Sequence, residues 1–137
     1  MKQSNIMAEK FRVIIAGGRD FDNFRFLCKT AMHLLQNKEN VEIVSGCARG
    51  ADELGEKFGK FMGFPIKQFP ANWDEFGKAA GHIRNKEMAK YSDALIAFWD
   101  GESRGTANMI EEAEKLNLKV VVKKYKVTKV VTKPWYE

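Results

Sequence analysis

Hydrophobic positions fall into two rhythms that alternate along the chain. Compact apolar runs occur at Arg12–Ala16 (RVIIA, β-branched), Val41–Ser45 (VEIVS) and Ala94–Trp99 (ALIAFW). Short runs with so little polar interruption predict strands buried on both faces. Pro65–Phe69 (PIKQF) is a shorter candidate, Lys119–Val122 (KVVV) a fifth, and Tyr125–Val131 (YKVTKVV) a sixth. Between the runs the apolar spacing becomes that of a helix. Phe24, Leu27, Ala31 and Leu34 share one helical face, as do Ala51, Leu54, Phe58 and Phe61. Gly63 stands where the second helix should stop, because glycine tolerates the left-handed conformation of a C-terminal cap. His82–Tyr91 reads as helical, and Met109, Ile110, Ala113 and Leu116 mark one side of another helix. Residues 70–81 form a loop or short helix in this reading.

Strands alternating with helices imply βαβ units. The expected fold class is α/β, three layers around a mostly parallel sheet of about five strands, with right-handed crossovers. One domain is expected over residues 12–123, between an N-terminal extension at 1–11 and a C-terminal strand or tail at 124–137.

Composition adds exclusions. The chain is 45% hydrophobic and 30% charged, the balance of a soluble globular protein. No apolar run approaches the roughly 20 residues of a membrane span, and MKQSNIMAEKF lacks the apolar core of a secretory signal. Cys28 and Cys47 form no CxxC, so a reduced, cytoplasmic protein without structural metal is expected, with Cys47 as a small buried filler. The formal net charge is +5, but residues 1–118 carry 17 Lys/Arg against 17 Asp/Glu. The whole excess lies in KVVVKKYKVTKVVTKPWYE, a segment that fits either attraction to an anion or a solvated strand whose lysines discourage edge pairing.

Parallel sheets bind ligands outside the carboxyl ends of their strands, so the strand-to-helix loops carry the candidate chemistry. In AGGRDF, Gly17 and Gly18 let the backbone approach a ligand, and Arg19 suits a phosphate. In SGCARGAD, Ser45 ends a strand, Gly46 and Gly50 frame a bend, and Arg49 adds a planar fork for phosphate. Asp52, in the first turn of the following helix, fits the helix dipole or the ligand. In WDGESRGTANMI, Gly101, Ser103, Gly105 and Thr106 offer donors to a phosphate, with Thr106 as the helix cap. Asp100 suits a ribose hydroxyl or a turn. Between these loops, Arg84, Met88 and Tyr91 share a helical face, with Asn85 beside Arg84. Trp73 is placed in a loop, to stack on a base or to fill the core. His82 is a general-base candidate by residue type alone.

VIIAGGRDF, VSGCARGAD, NWDEFGKAAGHIRNKEM and WDGESRGTANMI, in that order, resemble the YspA-like branch of the SLOG superfamily, over about residues 12–122. That superfamily unites Smf/DprA proteins with the LOG phosphoribohydrolases. The resemblance implies a Rossmann-like fold that binds a nucleotide or a nucleotide-derived small molecule, such as a mononucleotide, ADP-ribose or a cyclic relative. It also implies a homo-oligomer, with a dimer favoured. No cofactor is certain beyond such a ligand. The protein would then be a sensor, carrier or sequestering protein.

LOG enzymes release the base from nucleoside 5′-monophosphates. Their motif runs Arg, Met four residues on, then Pro-Gly-Gly-x-Gly-Thr-x-x-Glu. Arg84, Met88, Gly105 and Thr106 match it, but the glutamate falls on Met109 and the Pro-Gly-Gly portion is altered. Glycosidic cleavage builds positive charge on the ribose, which a carboxylate stabilises and methionine cannot. If the chain is an enzyme of this type, Arg84 would orient the substrate. Asp100 or Glu112 would then replace the lost carboxylate; Glu111 and Glu112 lie about 200° and 300° around the helix from Met109. The resemblance therefore favours binding over catalysis. A second alternative is Smf/DprA-like nucleic-acid binding, because SGCARGAD resembles the Ser-Gly-x-Ala-x-Gly-Ile-Asp loop of those proteins, and the late lysines would supply salt-sensitive attraction.

Overall fold

The computed structural model describes residues 9–126. Five strands are joined through five helices, two of them between β3 and β4: β1 (Phe11–Gly17), α1 (Phe24–Leu35), β2 (Val41–Ser45), α2 (Ala51–Met62), β3 (Ile66–Gln68), α3 (Trp73–Phe76), α4 (Ala80–Tyr91), β4 (Ala94–Trp99), α5 (Arg104–Lys115) and β5 (Lys119–Lys124). A 3-10 turn at Gly77–Ala79 joins α3 to α4. The sixth strand candidate lies almost wholly in 127–137, outside the described residues.

All five strands run parallel, in the order β3-β2-β1-β4-β5. The arrangement is a Rossmann-like α/β fold. Alternation along β1 divides the core. Val13 and Ile15 pack with Leu27, Ala31 and Phe58 on the α1/α2 side. Ile14 and Ala16 pack with Met88, Ala89, Met109 and Ala113 on the α4/α5 side. Each fully buried large side chain contributes about 1.5–3 kcal/mol, so the two clusters hold the three layers together. From β1 the chain winds outward through β2 and β3, then returns to place β4 on the other side of β1. The order therefore reverses between β1 and β4, and their carboxyl ends open a crevice there.

Local signals account for the helix ends. Asn23 caps α1 by accepting from the Phe26 N–H at 3.0 Å. Gly63 ends α2 at φ +77 and donates back to Gly59 and Lys60 carbonyls. Two stripe residues differ from expectation. Phe61 is 76% exposed, because α2 meets the sheet through Gly55 and Gly59, and added Cβ atoms there would touch Ile15 and Ile43. That close approach turns Phe61 outward. Leu116 is exposed because α5 ends at Lys115 and leaves it at the C-cap. Among the described residues no helix is long and apolar enough to cross a membrane.

Candidate functional site

A cavity of about 490 Å³ lies at the carboxyl ends of β1 and β4, between α2, α4 and α5. A second, of about 360 Å³, adjoins it on the β2 side, and Arg19, Ala48, Trp73 and Arg84 border both. Each volume is within the range of small-molecule sites, roughly 300–1,000 Å³.

The β1 loop is built on close backbone approach. An added Cβ on Gly17 would lie 2.2 Å from the Phe98 carbonyl oxygen, and one on Gly18 would lie 1.9 Å from the Tyr125 hydroxyl. Gly50, at φ +78, abuts Gly18 in the same way. The bonds run inward, however. The Gly18 N–H donates to Phe98 O at 3.1 Å, and the Gly18 carbonyl accepts from Phe21 and Ala51, both at 3.2 Å. The glycines thus weld the first two loops to β4, and the Gly18 amide is not turned to a ligand as expected. Arg19 is exposed at the rim of both cavities. Asp20 also lines the larger one and accepts from the Tyr125 hydroxyl at 2.6 Å. Burial and the nearby Asp20 raise the Tyr125 phenol well above its usual range.

The β2 loop is also largely self-satisfied. Ser45 is fully buried, donates to Glu56 at 2.6 Å and accepts from the Cys47 N–H, so it supports the loop and lines neither cavity. Cys47 is exposed at φ +67, in contrast to the expected buried filler, because the bend turns its side chain outward. Partial desolvation of the sulfur against the loop and the acidic neighbours Glu56 and Asp52 raise its thiol pKa. Gly46 and Arg49 border the smaller cavity. Asp52 faces the larger one at 5% exposure, and its Oδ2 accepts from the Ala48 N–H at 3.1 Å. Burial pushes its carboxyl up to about 6, although the Ala48 N–H and the charges of Arg84 and Arg19 oppose the shift.

Arg84 is the hinge of the site. Its Nη1 donates to the Gly46 carbonyl and, at 3.4 Å, to Phe69 O, while Nε donates to Asn85 Oδ1 at 2.9 Å. The guanidinium expected to orient a substrate is therefore also a brace between α4, the β2 loop and the residue after β3. Nη2 has no partner among the described residues and lies on the cavity side, beside Gly81. Asn85 passes the order on, donating to Gly105 O at 3.3 Å and Asn108 Oδ1 at 3.0 Å. Trp73 sits on α3 instead of a loop, 51% exposed, with its ring over Gly81. His82 and Lys78 complete that wall, both exposed. Lys78 carried no pattern in the sequence that would single it out.

At the third loop, Asp100 Oδ1 accepts from Glu102 N and Ser103 N, each at 2.8 Å, and these bonds lower its pKa. Ser103, in place of Thr106, is the N-cap; Thr106 is buried at the third helical position. Gly105 has open space before it, and the N–H groups of Arg104 and Gly105 have no partner among the described residues. Asp100, Ser103, Gly105 and Thr106 all line the larger cavity; Gly101 does not. Met109, 1% exposed, forms part of its wall. Glu112 lines neither cavity and lies 3.9 Å from Lys115.

With this geometry in place, likeness to other proteins becomes informative. A 117-residue stretch is 33% identical to the Gene 61 protein of Mycobacterium phage D29, covering 80% of this chain and 94% of that protein. The family model described as YspA, cpYpsA-related SLOG family matches residues 11–76. The chain belongs to this SLOG family. The first two strand-to-helix loops lie in the matched region, and α4 and α5 lie beyond it. The fold also resembles DNA processing protein A from Helicobacter pylori, whose structure was described for its single-stranded DNA binding mode. That likeness has a TM-score of 0.58 at 19% identity, over 87% of this chain and 67% of that one.

Proposed function

We propose that this SLOG protein binds a nucleotide or nucleotide-derived small molecule in the cavity between β1 and β4 and holds it without cutting it. The observation that carries this reading is the cavity itself. It combines the free Nη2 of Arg84, an exposed Trp73 face and the open N-terminus of α5. The unpaired N–H groups at Arg104 and Gly105, with the helix dipole, favour a phosphate. Trp73 offers a stacking face for a base. The position of the LOG glutamate is occupied by Met109, whose side chain has no proton to exchange. Asp100 is held by two backbone amides, and Glu112 is away from the cavity.

The test is incubation of the purified protein with nucleoside monophosphates, ADP-ribose and cyclic nucleotides, followed by mass spectrometry of the bound and free fractions. Recovery of an intact compound with the protein is expected. Free base with ribose 5-phosphate would overturn the reading in favour of phosphoribohydrolase activity.

A second reading, binding of single-stranded DNA, is favoured by the likeness to DNA processing protein A. Retention of an oligonucleotide, lost with rising salt and without any small molecule bound, would favour it instead.

A further inference from the structure

Three carboxylates line the larger cavity, each with one oxygen hydrogen-bonded and the other without a partner among the described residues. Asp20 accepts from Tyr125, and Asp100 accepts from two backbone amides at the start of its own loop. Asp52 differs. It is the buried one, at 5% exposure against an exposed Asp20 and a half-buried Asp100; its Oδ2 accepts from the Ala48 N–H, and its Oδ1 has no partner among the described residues. Burial takes most of the Asp52 side chain out of water, so a donor that reaches its unpartnered oxygen is favoured. The cavity is the direction from which a donor can come.

The surroundings narrow the donor's chemistry. Arg84 from α4 and Arg19 from the β1 loop already supply positive charge near Asp52, while Glu56 on α2 opposes further negative charge. A phosphate at Asp52 would be repelled, and it has a better place at the N-terminus of α5. A cationic group would compete with the two arginines. A neutral hydroxyl satisfies Oδ1 without changing the local charge.

We propose that Asp52 is the specificity-determining residue of the site, its Oδ1 accepting a hydrogen bond from a sugar hydroxyl of the bound nucleotide. This rests on the binding function proposed above and deepens it: the ligand class becomes ribonucleotides over their deoxy counterparts. The role expected from sequence for Asp100 thereby passes to Asp52.

The experiment uses the full chain and four probes: AMP, 2′-deoxy-AMP, 3′-deoxy-AMP and ADP-ribose, titrated calorimetrically at pH 7.5. A hydrogen bond to a charged acceptor is worth about tenfold or more in affinity. At least one deoxy form should bind about tenfold weaker than AMP. In Asp52→Asn, which keeps an acceptor for Ala48, that ratio should shrink towards one while binding persists. Equal affinity of the wild-type chain for AMP and both deoxy forms would overturn the assignment without any variant. A ratio unchanged in a folded Asp52→Asn protein would overturn it too. Failure of all four probes to bind would instead bring down the binding function on which the assignment rests.

Discussion

Arg84 donates through Nη1 to the carbonyl of Gly46, across 38 residues of sequence, and so ties helix α4 to the loop after β2. The side chain matched on family resemblance is thus a structural strut with one donor, Nη2, left for a ligand. Arg84→Ala should lower both stability and affinity. Loss of hydrogen bonds from a charged donor to buried carbonyls costs about 1.5–3 kcal/mol. Arg84→Lys should not restore either, since one ammonium cannot span Gly46, Phe69 and Asn85 in the planar fork geometry. Thermal melts and ligand titrations on both variants would check this; loss of affinity at unchanged melting temperature would contradict the strut.

Asp52 should make the protein less stable as pH rises. Its carboxyl moves from the ordinary 3.8 to about 6 on folding, so between these values the folded chain binds the extra proton. The contribution to stability is therefore fullest below about pH 4 and is lost as pH rises through about 6, by roughly 3 kcal/mol. Asp52→Asn removes this titration. Denaturant melts should show the variant more stable than wild type at pH 8, with the gap narrowing towards pH 4. Coupled with weaker sugar discrimination, this would be a site held at the expense of stability.

Two glycines with the same backbone sign should respond differently to alanine. Gly63, at φ +77, has nothing within 4 Å of an added Cβ, whereas Gly50, at φ +78, would place one 2.2 Å from the Gly18 carbonyl oxygen. Gly63→Ala should cost about 1–2 kcal/mol, the strain of the left-handed conformation alone. Gly50→Ala should cost distinctly more, about 3 kcal/mol or above, because backbone faces it and cannot yield. Equal losses in equilibrium unfolding would show that the β1 and β2 loops are not in contact as described.

Gly105 offers the converse case. It lies in the first turn of α5 with open space around it. Gly105→Ala should raise stability by up to about 1 kcal/mol through helix propensity. The methyl group would project where a phosphate meets the helix, so affinity should fall about tenfold. Affinity unchanged by titration would place the anion elsewhere in the cavity.

The legible part of this protein is the part set by local rules. Compact apolar runs marked β1, β2 and β4, because strands buried on both faces admit few polar residues. Gly63 announced its cap, and the three glycine-containing loops do converge on the carboxyl ends of the strands. The harder cases follow from distance in sequence. Phe61 fitted a helical stripe, but Gly55 and Gly59 set how α2 approaches the sheet, and their partners Ile15 and Ile43 lie on other strands. Thr106 looked like a cap because the helix start was unmarked; Ser103 takes the role through a turn organised by Asp100.

The sequence by itself determined the alternation of strands and helices, the parallel α/β class and the family, since periodicity and short motifs are written in consecutive residues. Only the tertiary structure decided which groups in those motifs remain available to a ligand. The Gly18 amide is taken by Phe98, one oxygen of Asp100 by its own turn and most of Arg84 by Gly46 and Phe69, while Asp52, which reads in sequence as a helix-dipole or ligand residue, is buried in the cavity wall with one oxygen unpartnered among the described residues. Hydrogen bonding is a competition among partners brought together by folding, and no linear pattern records which partner wins.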